Sequence, residues 1–203
     1  MRFAPGIPAL LPGLLLLGCG GLRAPSSRTP AIDSAGVAQA RAAASNLGSD
    51  LMGMLSSEMA RGGPAAAVAV CADSAQERTA RHQQAGVQVR RIGTRVRNPA
   101  NTPDSLEALV LAAFAAGLTT GRLPMDTAFV QPLASGGYEL RYLRPIQVQE
   151  KCLACHGPAD RLAPGVLDLI AARYPADRAM GYAVGDLRGA ITVRLAMPLA
   201  PAR

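Results

Sequence analysis

Cys152, Cys155 and His156 form the densest group of reactive side chains in the sequence, within Cys152-Leu153-Ala154-Cys155-His156. The C-x-x-C-H spacing is the attachment motif of c-type haem. In this chemistry the two thiols add to the vinyl groups of the porphyrin, and the adjacent histidine supplies the proximal nitrogen ligand of the iron. One motif therefore predicts one covalent haem, with His156 as a metal ligand.

The same motif has two alternative interpretations, a zinc half-site and a thioredoxin-like redox pair. Zinc needs further ligands, and the rest of the chain supplies Cys71, His82 and carboxylates for that purpose. A thioredoxin-like pair normally opens a helix that follows a strand, whereas Gly157 and Pro158 come directly after this motif. We therefore favour haem.

Cys71, His82 and the methionines are the candidates for the second axial ligand of the iron. Cys71 ends the apolar stretch Ala65–Val70 and is expected to be buried, while His82 lies among polar side chains and is expected to be solvated. On one continuous helix they would lie about 16 Å apart along the axis, so only one can reach the iron. Cys71 could instead be a small core residue, or pair with Cys19 in a disulfide if Cys19 carries no lipid.

Arginines follow one another closely after position 90. Residues 87–96 are rich in β-branched side chains and predict a strand. The alternation of its side chains between the two faces is expected to slip by one residue near Arg90 and Arg91. Beyond that slip Arg91, Arg95 and Arg97 are expected to share one face. This face is either solvated or holds the carboxylates of a bound group.

The N-terminus is typical of an export signal. Arg2 is followed by an apolar run of signal-peptide length that is too short to span a bilayer, and residues 16–19, Leu-Leu-Gly-Cys, resemble a bacterial lipobox. We expect residues 1–18 to be the signal, with a lipid on the thiol of Cys19 as the first mature residue. The alternatives are an uncleaved apolar anchor and an ordinary signal peptide cut slightly later.

A tether and one folded domain are expected after the signal. Residues 19–34 are rich in Gly, Pro and Ser and have no apolar period, and residues 35–203 suit one globular domain. The 203 residues carry a net charge of +7, which would admit nucleic acid, anionic lipid or an acidic protein as partner. Export argues against nucleic acid and places the domain on the periplasmic side of a bacterial membrane.

Hydrophobic periodicity predicts an α+β fold with a mainly antiparallel sheet. Its elements are two helices, a strand, a helix, two or more strands, a short helix over 166–173 and a last strand over 190–197, in which apolar and polar side chains alternate. A long amphipathic helix begins at Ser34 and ends near Gly62, and its methionines are interpreted as core residues. Asp104 and Glu107 predict a capping box at the start of the third helix, and Arg144-Pro145 predicts a bulge or a sheet edge.

Three segments, in this order, are similar to a family of bacterial single-haem c-type proteins with a PAS-like domain, long catalogued as a domain of unknown function. They are Arg91–Glu107, Lys151–Gly157 and Gly185–Ala190. The resemblance covers most of the chain after the tether. It implies a PAS-like α+β fold, in which an antiparallel sheet is flanked by helices.

The same resemblance implies the ligands. Haem would be covalently attached at Cys152 and Cys155, with His156 as proximal ligand and Cys71 as the second axial ligand. The Gly185–Ala190 turn shows no chemistry of its own and is interpreted as structural.

An iron with two protein ligands has no open position, which disfavours substrate turnover. We therefore expect no enzyme, but a membrane-tethered cytochrome-like protein for electron transfer or redox sensing, with a redox partner protein. The alternative is a haem-based gas sensor in which Cys71 is displaced on reduction, acting through a separate signalling partner. Peroxidase or nitrite chemistry ranks last, because His82 is the only spare histidine.

Overall fold

The computed structural model describes Met1 and residues 30–197. The predicted signal peptide, the lipid-bearing Cys19 and most of the tether lie outside the described residues. Among the residues it does describe, no helix combines the length and the apolar character needed to cross a membrane.

The first element is the helix α1, Ser34–Arg81, which is kinked at Gly62 and Gly63. Two helices were predicted here, and the kink is the boundary between them. Gly63 has φ +68°, a left-handed conformation that glycine adopts without a steric penalty. Pro64 then fits the first turn of the C-terminal half, where its missing N–H costs no hydrogen bond. Asp50 in the first half contacts Arg78 and His82 at the end of the second half, so the two halves lie side by side.

Four strands form one antiparallel sheet in the order β1-β4-β3-β2. The α+β class with an antiparallel sheet is thereby confirmed. The strands are β1 (Val87–Gly93), β2 (Thr127–Pro132), β3 (Tyr138–Gln147) and β4 (Leu187–Met197).

Helices cover both faces of this sheet. On one face α1 contributes Leu47 to a core that contains Tyr142 and Val193. On the other face α2, Ser105–Thr119, contributes Phe114 to a core that contains Leu143. Apolar side chains therefore point to both sides of the central strands.

Burial on both faces explains why the predicted slip in β1 was wrong. Residues Val87–Gly93 pair one for one with β4, without a bulge. Val89 packs under α1 and Ile92 packs under α2, so a change in the apolar pattern does not mark a change in register. Because β1 ends at Gly93, Arg95 and Arg97 lie in the segment after the strand and do not share a strand face with Arg91.

The bulge or sheet edge predicted at Arg144-Pro145 is not found there, because β3 is an inner strand and the bulge lies on β4, opposite Ile146 and Gln147. Arg144 and Pro145 pair in register with β4, and the register shifts between Ile146 and Gln147. Ile146 pairs with Gly189 and Gln147 pairs with Leu187, so the residue between those two partners, at position 188, has no partner on β3.

The capping box of α2 is confirmed. The side chain of Asp104 accepts a hydrogen bond from the Glu107 amide at 2.8 Å, and Glu107 accepts one from the Asp104 amide at 2.9 Å. The buried guanidinium of Arg141 on β3 lies 2.7 Å from the Asp104 carboxylate. This pair ties the start of α2 to its face of the sheet.

Two short helices complete the fold, α3 (Leu153–His156) and α4 (Val166–Arg173), the latter with the predicted bounds. Both pack against the C-terminal half of α1. Val68 of that half forms a small core with Val166 and Ile170 of α4, and Cys155 of α3 packs against it. The cysteine motif is thus held on α1.

Candidate functional site

The cysteine motif folds as one compact turn. A 3-10 turn, Glu150–Cys152, leads directly into α3. Cys152 packs against the cluster of Val148, Ala179 and Tyr182, whereas Cys155 packs against the cluster around Val68. Both thiols are free and half-buried, as is that of Cys71. Neither thiol of the motif is therefore paired in a disulfide with another described cysteine.

His156 is held in one tautomer. Its Nδ1 lies 2.6 Å from the carbonyl oxygen of Ala179, an atom that can only accept, so Nδ1 carries the proton and Nε2 keeps its lone pair. Burial, then the charges of Arg188 and Arg97, lower the pKa of His156 to about 3. The ring is therefore neutral. A histidine that binds a metal through one ring nitrogen usually donates a hydrogen bond from the other, as Nδ1 does here.

Arg97 and Asp177 position the acceptor of that hydrogen bond. The two side chains form a buried ion pair, with Nη2 of Arg97 3.1 Å from the Asp177 carboxylate and 2.7 Å from the carbonyl oxygen of Cys155. Asp177 also accepts a hydrogen bond from the Ala179 amide at 2.8 Å. The pair joins α3 to residues 177–179, which carry the partner of His156.

Cys71 is half-buried and packs against the core that α1 forms with the sheet. It is one helical turn beyond Val68, whose cluster includes Cys155. Burial raises the pKa of the Cys71 thiol, and the positive charge of Arg91 partly opposes this effect. Cys71 in turn raises the pKa of Cys155, after burial and against the charge of Arg97, so the two thiols face the same region.

His82 has a different role from the one expected. It was expected to be solvated, but it is half-buried at the C-terminal end of α1, with Nε2 3.0 Å from Asp50. Asp50 also binds Arg78 at 2.5 Å. His82 is therefore part of the contact between the two halves of α1. Met54 is a buried core residue, as predicted.

The three predicted arginines differ in their partners. Arg95 donates to the Met180 carbonyl at 2.8 Å, and its guanidinium lies 3.6 Å from the centre of the Tyr182 ring. Arg97 binds Asp177 and Cys155 as described above. Of these three arginines, it is Arg91 whose Nε is buried without a hydrogen-bond partner. That these arginines contact a bound group stays a prediction.

Sequence reasoning missed Arg188 and Tyr182. The Tyr182 ring lies edge-on to His156, with ring centres 6.2 Å apart, and its hydroxyl is 2.9 Å from Oγ1 of Thr94. The Arg188 guanidinium lies 5.4 Å from the centre of the same ring, and Nη1 donates to the Arg95 carbonyl at 3.1 Å. The Gly185–Ala190 motif was the available signal for Arg188, but it was interpreted as structural.

A cleft of about 380 Å³ opens behind Arg97 and is lined also by Thr94, Arg95 and Arg178. It does not include the cysteine motif. No group of three or more His, Cys, Asp or Glu side chains converges as a metal site within residues 30–197.

Comparisons with known proteins agree on one family. A family model described as Tll0287-like matches residues 28–196. A solved structure that is similar to this chain is described as the crystal structure of the cyanobacterial haem protein Tll0287. The two chains are 28% identical in sequence and superpose with a TM-score of 0.62, over 83% of this chain and 99% of that chain. No curated protein sequence gives a significant match.

Proposed function

Because the chain belongs to the Tll0287-like family, we propose that it is a haem protein in which one haem is attached covalently to Cys152 and Cys155. The similar solved structure is described as that of a haem protein, which supports the cofactor. The C-x-x-C-H motif supports the covalent link, because non-covalent haem does not need two thiols at this spacing. His156 and Cys71 would then hold the iron.

The residues of the site suit such a group. His156 presents a neutral imidazole whose Nε2 lone pair is free, and this single observation carries the proposal. Cys71 offers a sulfur atom on the α1 side of the motif, and the unpaired Arg91 offers a positive charge. Haem, when bound, supplies an iron that can exchange one electron.

We propose electron transfer or redox sensing as the activity, and no enzymatic turnover. Two protein ligands, His156 and Cys71, would leave no position for a substrate. A Cys71 thiolate would carry a negative charge that favours ferric iron and lowers the reduction potential. The Arg97–Asp177 pair would keep His156 in a fixed orientation as the charge of the site changes.

We propose that the domain is tethered by a lipid on Cys19 at the periplasmic side of a bacterial membrane. The lipobox-like residues 16–19 support this location. The partner would be a redox protein of the cell envelope, or a signalling protein if the role is sensing.

The proposal is tested with the full chain matured in a host that attaches c-type haem. Ultraviolet–visible spectra are recorded for the ferric form and for the dithionite-reduced form, each with and without carbon monoxide. We expect covalent haem and low-spin spectra that do not respond to carbon monoxide. The matched control is Cys152→Ala/Cys155→Ala, which should retain no covalent haem; absence of covalent haem from the wild-type chain would overturn the proposal.

A haem-based gas sensor is the second candidate. Burial raises the pKa of the Cys71 thiol, so this thiol would depend on bound iron to remain a thiolate, and a protonated thiol is a weaker ligand than the thiolate. Under this alternative Cys71 leaves the iron on reduction. A ferrous protein that binds carbon monoxide readily would favour sensing over electron transfer.

A further inference from the structure

Arg91 is a half-buried cation without a counter-ion among the described residues. Its side chain lies on the α1 face of β1, because Val87 and Val89 precede it on that face and β1 has regular register. Among the described residues it makes no ion pair, and its Nε is buried without a hydrogen-bond partner. A charge that is removed from water without a partner destabilises the protein, so we expect an anionic group to bind at this position.

Arg188 is a second half-buried cation without a carboxylate partner among the described residues. The bulge in β4 determines where its side chain points. Leu187 and Ala190 both pack in the core on the α2 side, three positions apart, although a regular strand would send them to opposite faces. The bulge therefore lies between them, at the unpaired Arg188. Bulges often redirect a side chain towards a functional site.

Glycines make room for this arrangement. Gly189 has φ +155°, and a Cβ there would overlap the carbonyl oxygen of Ile92 on β1. A Cβ on Gly93, which pairs with Gly189, would lie 2.9 Å from Nη1 of Arg188. The Gly185–Ala190 motif thus supports a bulge that places one guanidinium.

Arg91 and Arg188 lie on the paired strands β1 and β4, and Arg188 reaches the Tyr182 ring that lies edge-on to His156. The charge of Arg188 lowers the pKa of Arg91, after the larger effect of burial, and it also contributes to the low pKa of His156. The charge of Asp177 acts on both Arg188 and His156, but this carboxylate is bound to Arg97 and to the Ala179 amide. Neither Arg91 nor Arg188 therefore has a carboxylate partner among the described residues.

We propose that Arg91 and Arg188 bind the two propionate carboxylates of the haem. This inference rests on the proposed covalent attachment at Cys152 and Cys155. Haem carries two carboxylates, and a guanidinium binds a carboxylate through two parallel hydrogen bonds. Arg95 and Arg97 are instead positioning residues, since their donors are used by Met180, Asp177 and Cys155.

The test uses the haem-loaded full chain with Arg91→Gln and Arg188→Gln. Arg144→Gln is the matched control, because Arg144 lies on the same sheet and donates to Ser45 and the Ala44 carbonyl without a carboxylate partner. Two quantities are measured, the propionate bending band in the resonance Raman spectrum and the reduction potential as a function of pH.

Each site variant should shift the propionate band and make the potential pH-dependent, since a released propionate can take up a proton. The control should match the wild-type protein in both measurements. Arg188→Lys keeps the charge and is the second variant if Arg188→Gln does not fold; it should shift the band less, because an ammonium makes no bidentate contact.

Unchanged propionate bands in both Arg91→Gln and Arg188→Gln would overturn the inference. So would an Arg91→Gln protein in which only the iron–thiolate bands change, because Arg91 would then neutralise Cys71. These outcomes require covalent haem on the wild-type chain. They are therefore distinct from failure of the proposed function, in which the wild-type chain carries no haem.

Discussion

The Nδ1 atom of His156 donates a hydrogen bond to the carbonyl oxygen of Ala179, 23 positions later in the chain, over 2.6 Å. This contact fixes the ring and leaves Nε2 free to bind a metal. Arg97 and Asp177 hold the segment that carries the acceptor. The orientation of the proposed iron ligand therefore depends on an ion pair that does not touch the imidazole.

Asp177→Asn should loosen this support. Removing one partner of the buried Arg97–Asp177 pair leaves an uncompensated guanidinium and is expected to cost about 3 kcal/mol of unfolding free energy. Chemical unfolding of the haem-loaded protein measures this loss, and a change in the low-spin spectrum reports the altered hold on His156. The control is Asp73→Asn, at an exposed ion pair with Arg173. Equal stability of the two variants would contradict the prediction.

Cys71→Ala should leave haem covalently attached but change the low-spin ferric spectrum, because the second axial ligand is lost while Cys152 and Cys155 remain. Electronic absorption and electron paramagnetic resonance measure the change. His82→Ala serves as control, since His82 binds Asp50 on the same helix, and it should keep the wild-type spectrum. A wild-type spectrum in Cys71→Ala would remove Cys71 from the ligand set.

The stabilising effect of Asp104 should disappear in acid. Burial raises its pKa, but the Glu107 amide and the Arg141 guanidinium outweigh burial, so the net pKa is lowered. A carboxyl group with a lowered folded-state pKa stabilises the fold above its unfolded value of about 4, and this contribution is lost as pH falls through the folded-state pKa. Asp104→Asn keeps an N-cap side chain and removes only the charge.

We therefore expect the difference in unfolding free energy between the wild-type protein and Asp104→Asn to be largest at neutral pH and to shrink below about pH 4. Urea unfolding at several pH values measures it. A difference that is constant across the series would show that the charge of Asp104 does not stabilise α2.

Gly189→Ala should destabilise the sheet. A Cβ at this position would overlap the Ile92 carbonyl, and φ +155° is a conformation that L-residues rarely adopt. We expect a loss of at least about 2 kcal/mol, measured by thermal unfolding. The control is Gly53→Ala in α1, where a Cβ meets no atom within 4 Å and helix propensity favours alanine. Wild-type stability in Gly189→Ala would mean that the bulge tolerates a side chain.

Much of the local structure could be predicted because its signals are short-range. The capping box at Asp104 and Glu107 joins residues three apart, and the bounds of α4 and the alternation of β4 follow from apolar spacing. The slip assigned to Arg90 and Arg91 was wrong for a related reason. Alternation marks a register only when one face of a sheet is buried, and helices cover both faces here.

By itself, the sequence determined the chemistry that the motif can perform. Cys152, Cys155 and His156 lie within five consecutive residues, so their spacing does not depend on how distant parts of the chain pack. Only the tertiary structure decided which side chains support that motif. Arg97 meets Asp177 across 80 positions, and Arg188 is directed by a bulge that needs its partner strand. Such contacts depend on how distant elements pack, and packing leaves no local pattern in the chain.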